Sequence, residues 1–232
     1  MADVVDLTHV LSEGNMSEFP GDPVYCCKSH ATIEQDGYQL SSLSLGTHTG
    51  THIDAPSHFF GDGKSLSDLS MRDLIGPVVV LDVRHKTERQ RIIWEELKPL
   101  VESYGGQFRP HTIVVVMTGW STYYGTPKYL DHPFLDAEAA EKLLSMGAGV
   151  IGIDAMSPDE TMLEGHPKYA VHEVVLGAGK ILAENLTNVA ALLGDTTGEE
   201  GQWTMSLFPL NIDGGDGSPV RAVAFRQIDH SS

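Results

Sequence analysis

Residues 46–59, "GTHTGTHIDAPSHF", place four side chains that can bind a metal within eleven positions: His48, His52, Asp54 and His58. On a helix, His48 and His52 would share one face. However, the glycine and threonines between them and Pro56 after the acid are unfavourable in a helix. In a fully extended strand, two residues four positions apart would be separated by about 13 Å. The stretch is therefore predicted to be a bent strand or loop.

Such a bend would let His48, His52 and Asp54 point at one ion. Both histidine nitrogens must lie ~2.0 to 2.1 Å from a shared zinc-like ion, and Gly46 and Gly50 supply the backbone freedom that this requires. Two imidazoles and a carboxylate, with positions left for water, suit Zn²⁺, Mn²⁺ or Fe²⁺. His58 is either a further ligand or a proton carrier. A lone histidine is usually structural, but four such groups together favour a metal site.

Composition excludes several classes of protein. The chain has 232 residues, 41% of them apolar, which predicts a single domain over residues 1–232 with a sizeable core. A net charge of −17 with only 15 Lys and Arg argues against nucleic-acid binding. Apolar runs such as 78–81 and 113–117 are too short for a bilayer, and the first residues do not resemble a signal peptide. We expect a soluble cytoplasmic protein.

The two cysteines, Cys26 and Cys27, are adjacent and cannot form an ordinary structural disulfide with each other. Their place in the alternating segment "VYCCKSHATI" predicts strand residues with one side chain facing the core. Free thiols fit a reducing compartment.

The order of predicted elements indicates an α/β domain with a β-rich start. One helix is predicted near residues 93–104, where Pro99 would end or kink it, and another begins after Asp136 and ends at Gly147. A short helix is predicted within 169–179. Strands are predicted within 3–11, 24–33, 38–46, 77–83, 112–119, 149–154, 180–185, 203–212 and 219–226.

Other catalytic and binding motifs are incomplete. The chain contains no G-x-S-x-G, and "GAGK" at 177–180 lacks the full spacing of a phosphate loop. The sequence "DGGDG" at 213–217 does not fit a calcium-binding EF-hand loop and predicts a tight turn before the last strand.

The stretch "HTGTHIDAPSHF" resembles the signature H-x-G-T-H-x-D-x-P-x-H-F of the cyclase-like metal-dependent hydrolases, a family that includes bacterial kynurenine formamidase and isatin hydrolase. Every fixed position of that signature is present. Further segments resemble the family in the expected order. They are "VVDLTHVLSEGNMSEFPGDP" at 4–23, "TGWS" at 118–121, "HEVVLGAGKILAENLTN" at 172–188 and "GGDGSPVRAVA" at 214–224.

The resemblance implies a set of metal ligands. His48, His52 and Asp54 would hold a first ion, and Asp54 would bridge to a second ion completed by His172 and Glu184. These last two residues keep the twelve-residue interval of the formamidase branch. The resemblance leaves open whether one or two ions bind and whether they are zinc or manganese. Without it, His172 would be interpreted as an amphipathic-helix residue and Glu184 as an acid at a strand end.

The resemblance also implies a swivelling β/β/α fold with a mixed sheet and flanking helices, and a homodimer or higher homo-oligomer. The implied reaction is hydrolysis of an amide-type C–N bond by metal-activated water, in an aryl formamide such as N-formylkynurenine or a cyclic amide such as isatin. His58 would then carry the proton. The alternative is a non-catalytic protein whose metal serves to hold a small ligand.

The role of the nearby aromatic residues is open at this point. Trp120, Tyr123 and Tyr124 either form a wall of the substrate pocket or pack in the core. Phe59 and Phe60 are expected mainly to support the metal-binding stretch.

Overall fold

The computed structural model describes residues 2–165, 168–193 and 203–227. The strands in these ranges are β1 (Ala2–Asp6), β2 (Cys26–Ala31), β3 (Leu40–Ser44), β4 (His52–Asp54), β5 (Ile75–Asp82), β6 (Arg91–Ile92), β7 (Thr112–Met117), β8 (Phe134–Leu135), β9 (Ala148–Ile153), β10 (Ile181–Glu184), β11 (Thr204–Ser206), β12 (Gly217–Pro219) and β13 (Val223–Gln227). The α-helices are α1 (Ile33–Asp36), α2 (Trp94–Ser103), α3 (Ala137–Ser145) and α4 (Ala170–Gly177). Each described helix is too short or too polar to cross a membrane.

One large sheet organises these elements in the order β1-β13-β11-β5-β7-β9-β10-β4-β12. The central strands β5, β7, β9 and β10 run parallel to one another. The strands at both edges pair antiparallel, including β4 with β10 and β12 with β4. The predicted α/β domain with a mixed sheet and flanking helices is thus confirmed.

The central strands are buried on both faces, which explains their continuous apolar sequences. Alternate residues of β5 belong to different cores: Val80 packs with one cluster, while Val79 and Leu81 pack with the other. The second cluster includes buried residues of α2, α3 and α4, and we call this side the helix face. The first cluster lies on the opposite face and includes Leu66, Leu69 and Leu74 of the segment 66–74 and Met205 of β11.

Most predicted elements are found, with local differences. Asp136 accepts a hydrogen bond from the Glu138 amide at 3.0 Å at the start of α3. Pro99 does not end α2, because the buried Leu97 and Val101 on either side hold the helix against the sheet. The late segment 219–226 is wrong as a single strand: β12 ends at Pro219, and β13 begins only at Val223.

The predicted turn in 213–217 precedes β12 rather than the last strand. The cysteines lie in β2 as predicted, but neither is buried: Cys26 is partly exposed and Cys27 is exposed. This differs from the expectation that one of them faces the core. The reason is that the β2–β3 ribbon stands apart from the large sheet.

Candidate metal centre

The quoted stretch bends immediately before β4. Gly50 has a φ of 65°, a conformation that glycine adopts without the steric cost of a side chain. Gly46 does not adopt a positive φ, so the predicted hinge lies at one glycine rather than two. Because side chains alternate along a strand, His52 and Asp54 share the helix face, while Ile53 points into the opposite core.

Two remote residues come to the same place through strand pairing and helix packing. The antiparallel register of β10 and β4 sets Glu184 directly opposite His52. His172 lies in α4, which packs against β10, and its side chain is almost fully buried. We call His52, Asp54, His172 and Glu184 the inner cluster.

The donor atoms of the inner cluster face one another across similar gaps. His52 Nε2 lies 3.3 Å from Asp54 Oδ1 and 3.4 Å from Glu184 Oε2. His172 Nε2 lies 3.5 Å from Asp54 Oδ2 and 3.3 Å from Glu184 Oε1. Asp54 Oδ2 and Glu184 Oε1 are buried and have no hydrogen-bond partner within the described ranges.

These separations fit a divalent ion. Atoms that share a tetrahedral ion at ~2.0 to 2.1 Å lie about 3.3 Å apart, because that is the edge of the tetrahedron. Buried polar atoms in proteins are normally satisfied, so two buried carboxylate oxygens without a hydrogen-bond partner fit ligation of a cation. Imidazole nitrogen and carboxylate oxygen are suitable ligands for both zinc and manganese.

A second group adjoins the first through Asp54. We call His48, His58 and Asp216 the outer cluster. His48 donates from Nδ1 to Asp54 Oδ1 at 2.7 Å and from Nε2 to Asp216 Oδ2 at 2.9 Å. His58 Nδ1 lies 3.2 Å from the same Asp216 oxygen. Two groups of side chains each bring their ligand atoms close enough together to share an ion. The first group is His48, Asp54 and His58, and the second is His52, Asp54 and Glu184.

A glycine makes room for this arrangement. A Cβ on Gly217 would lie 2.5 Å from His48 Cε1 and 2.9 Å from the Ile53 carbonyl oxygen. Only glycine therefore fits between β4 and the His48 ring at this position of β12.

The charges of the two clusters are strongly interdependent. Burial opposes protonation of His48, but its hydrogen bonds to Asp54 and Asp216 raise its pKa to about 9. Burial alone would raise the pKa of Asp54, yet the surrounding imidazoles hold it well below the ordinary value of 3.8. His48 must therefore release a proton before it can bind an ion. Burial lowers the pKa of His58, which leaves its imidazole neutral at pH 7.

Asp159 orients His172 toward the cluster. Its Oδ2 accepts a hydrogen bond from His172 Nδ1 at 2.7 Å, which leaves Nε2 free to face Asp54 and Glu184. The same carboxylate accepts the amides of Val171 and His172 in the first turn of α4. A carboxylate behind a ligating histidine commonly fixes its tautomer and ring orientation.

We expect Asp159→Asn to weaken metal affinity by about 10- to 100-fold, because the amide retains the shape but loses the charge that orients His172. Competition with a metal-binding dye measures the dissociation constant. Asp136→Asn is the matched control, since Asp136 also accepts an amide at a helix start but contacts no histidine of either cluster. Equal affinities in Asp159→Asn and the control would contradict this role.

The inner cluster, together with His48 and His58 of the outer cluster, lines a cavity of about 280 Å³. Its walls include the aromatic rings of Phe19, Phe59 and Tyr169, with Ser157 and Asn185 as polar groups. Phe59 does more than support the loop, because it both lines the cavity and stacks on His172 with ring centroids 4.9 Å apart.

The residues of "TGWSTYYG" do not line this cavity. Trp120, Tyr123 and Tyr124 pack with the helix-face core instead. Tyr124 also stacks on His9 at a centroid distance of 3.7 Å. The sequence left open whether these three aromatic residues form a pocket wall or pack in the core, and the structure supports packing in the core.

All six residues predicted for the site lie together: His48, His52, Asp54, His58, His172 and Glu184 all line the cavity. Two further acids of the site, Asp159 and Asp216, were not predicted from the sequence. Asp216 belongs to the "GGDGSP" segment that resembles the family, which was the available signal. No local pattern marks Asp159.

Comparisons with known proteins agree with one another. A family model described as putative cyclase matches residues 5–160. Kynurenine formamidase of Bacillus cytotoxicus is 30% identical over 221 residues, which cover 94% of this chain and 95% of the relative. Kynurenine formamidase of Sphingopyxis alaskensis is 32% identical over 213 residues, which cover 88% of this chain and 90% of the relative.

Solved structures are similar over nearly the whole chain. Isatin hydrolase A from Labrenzia aggregata, bound to benzyl benzoate, has a TM-score of 0.84 and 25% identity, covering 98% of this chain and 94% of that one. A potential metal-dependent hydrolase with cyclase activity has a TM-score of 0.72 and 25% identity, covering 99% of this chain and all of that one (100%).

Proposed function

The chain belongs to the putative cyclase family, and from this premise we propose that it hydrolyses the C–N bond of a small aryl formamide or cyclic amide. The relatives named kynurenine formamidase and the structural neighbour named isatin hydrolase support this class of substrate. The observation that carries the proposal is the inner cluster. Its four pairs of imidazole nitrogen and carboxylate oxygen are separated by 3.3 to 3.5 Å, and its residues line the cavity.

We propose that His48, His52, Asp54, His172 and Glu184 hold one or two divalent ions, Zn²⁺ or Mn²⁺. Asp54 belongs to both groups of close ligand atoms, and this supports it as a ligand whether one or two ions bind. Asp159 behind His172 and the carbonyl of Gly50, 2.7 Å from His52 Nδ1, support the orientation of the ligating rings.

A divalent ion lowers the pKa of a bound water toward ~7 and polarises a carbonyl oxygen. The proton then needs a carrier, and we assign His58 to this role. Its Nδ1 donates to Asp216, so that Nε2 holds the lone pair. His58 is neutral at pH 7, so it can take a proton from the attacking water and return it to the departing nitrogen.

The reaction balances without another reactant. The water oxygen bonds to the carbonyl carbon, the C–N bond breaks, and the nitrogen leaves with the proton from His58. An aryl formamide gives formate and an arylamine, whereas a cyclic amide opens to an amino acid. The aromatic rings of Phe59 and Tyr169 would hold a planar substrate above the clusters.

Elemental analysis, followed by a substrate panel, tests the proposed function. We expect the purified protein to contain zinc or manganese and to hydrolyse N-formylkynurenine, formanilide or isatin. A chelator should abolish turnover, and the native ion should restore it. A protein that retains its metal but hydrolyses no member of the panel would instead be the non-catalytic ligand-binding alternative.

We also propose that the protein assembles as a homodimer or higher homo-oligomer. The β2–β3 ribbon, taken as residues 24–44 with the connection between the strands, supports this, because it exposes large apolar side chains and an isolated two-stranded hairpin is at best marginally stable. These side chains are Val24, Ile33, Tyr38, Leu40 and Leu43. Residues 24–44 contain one Lys against one Glu and one Asp, a net charge of −1 in a chain of −17. A second copy can therefore approach this ribbon with little repulsion.

Leu43→Glu tests this assembly. We expect sedimentation velocity to show a smaller species than the wild type, because a charge would be buried at the interface. Leu210→Glu is the control, since Leu210 is similarly exposed, at 61% against 58% for Leu43, but lies outside the ribbon. Unchanged sedimentation of Leu43→Glu would contradict an interface at the ribbon.

We further propose that residues 1–232 form one hydrolase domain in the cytoplasm. The free thiols of Cys26 and Cys27 support a reducing compartment. Cell fractionation tests this location.

A further inference from the structure

One carboxylate of the cavity lies outside both clusters. Three acids of the described part of the chain line the cavity: Asp22, Asp54 and Glu184. Asp54 and Glu184 face the histidines of the inner cluster. Asp22 is exposed, and no described residue forms an ion pair or side-chain hydrogen bond with it. Its charge is therefore available to a molecule in the cavity.

The position of Asp22 is held by its neighbours. The Asp22 amide donates to the Phe19 carbonyl at 3.1 Å, which closes a turn. Phe19 packs against the helix-face core and lines the cavity together with Asp22. Just before Phe19, Ser17 Oγ accepts a hydrogen bond from the Gly125 amide at 2.9 Å, and the Glu18 carboxylate accepts one from the Tyr25 amide at 3.0 Å.

Among the described residues that line the cavity, the side chains that can carry a positive charge are the histidines of the two clusters. Neither Lys nor Arg occurs among the described residues that line it. The segments 166–167, 194–202 and 228–232, which lie outside the described ranges, contain neither residue type in the sequence. A substrate carboxylate would therefore meet Asp22 without a matching Lys or Arg of this chain.

We propose that Asp22 determines specificity by charge, so that the enzyme prefers aryl amides whose ring substituent is an ammonium or is neutral over those with a carboxylate. This rests on the proposed function. Phe19 and Tyr169 would contact the ring, and Asp22 would attract or repel the substituent. A like charge placed opposite a binding group is a common means of rejecting the wrong partner.

The expected effect is moderate, because Asp22 is exposed to water. A single exposed ion pair changes affinity by a few-fold, so attraction of one substrate and repulsion of the other should together give about a tenfold ratio. Salt should reduce this ratio, since exposed charges are screened.

Three formanilides test the proposal: the unsubstituted compound, the 4-aminomethyl derivative and the 4-carboxy derivative. We expect kcat/KM of the metal-loaded enzyme to be about tenfold higher for the aminomethyl than for the carboxy substrate. Asp22→Asn should bring the ratio close to one, and Asp22→Lys should invert it. Glu141→Lys is the control, because it changes the net charge by as much as Asp22→Lys does. Glu141 lies on the exposed surface of α3, so this variant should keep the wild-type ratio.

Binding provides a readout that does not depend on turnover. Calorimetry with 4-aminomethylaniline and 4-aminobenzoate should show the same preference and the same inversion in Asp22→Lys. Equal binding of both compounds by the wild type, or a ratio unchanged in Asp22→Lys, would overturn the role of Asp22. Absence of hydrolysis of every formanilide and of isatin would instead contradict the proposed function, while the binding ratio would still decide the role of Asp22.

Discussion

We expect Asp54→Asn to lose bound metal and about 10³-fold or more in kcat/KM. Asp54 is fully buried and is the residue common to both groups of close donor atoms, so an amide there removes charge from both. A bound ion contributes several kcal/mol to catalysis, and each ~1.36 kcal/mol corresponds to a tenfold change in rate. Elemental analysis and steady-state kinetics measure the two effects.

Asp62→Asn is the control for this variant. Asp62 carries the same carboxylate on an exposed loop near the site, so the isosteric change should affect neither metal content nor rate. Circular dichroism establishes that both variants are folded. If Asp54→Asn retained the wild-type metal content and rate, Asp54 could not be the shared ligand.

The second large effect is expected for His58→Ala. Removal of a general acid-base group typically lowers the rate by ~10²- to 10⁴-fold. We expect kcat to fall by about 10²-fold or more while metal content stays nearly unchanged, because His58 is assigned to proton transfer rather than to metal binding. Kinetics beside elemental analysis separates these two roles.

His85→Ala provides the comparison, since His85 is 63% exposed and lies apart from both clusters. It should retain wild-type turnover. Loss of metal from His58→Ala would make His58 a ligand. The grouping of His58 with His48 and Asp54 in space makes this the relevant competing outcome.

The sequence determined much of the local architecture. The buried strands β5, β7 and β9 follow from continuous apolar runs, and α3 follows from its Asp136 cap and Gly147. In one place, tertiary packing outweighed a local sequence preference. Pro99 opposes helix, but burial of Leu97 and Val101 outweighs that preference. Propensity is a weak guide wherever tertiary packing stabilises the alternative.

The position of the candidate metal centre could be predicted because four residues of the two clusters lie within eleven positions of one bent segment. His172 and Glu184 could be predicted only through the family resemblance. In the fold they meet His52 and Asp54 because β10 pairs with β4 and α4 packs on β10. Contacts of this kind, between segments far apart in the chain, cannot be read directly from a single sequence.

By itself, then, the sequence determined the α/β class and the type of chemistry, since apolar periodicity and ligand type are properties of neighbouring residues. Only the tertiary structure decided which distant acids complete the site. Asp216 is 168 residues from His48, and Asp159 is 13 residues from His172. The physical reason is that hydrogen bonds and electrostatic attraction act over a few ångströms of space, whatever the separation along the chain.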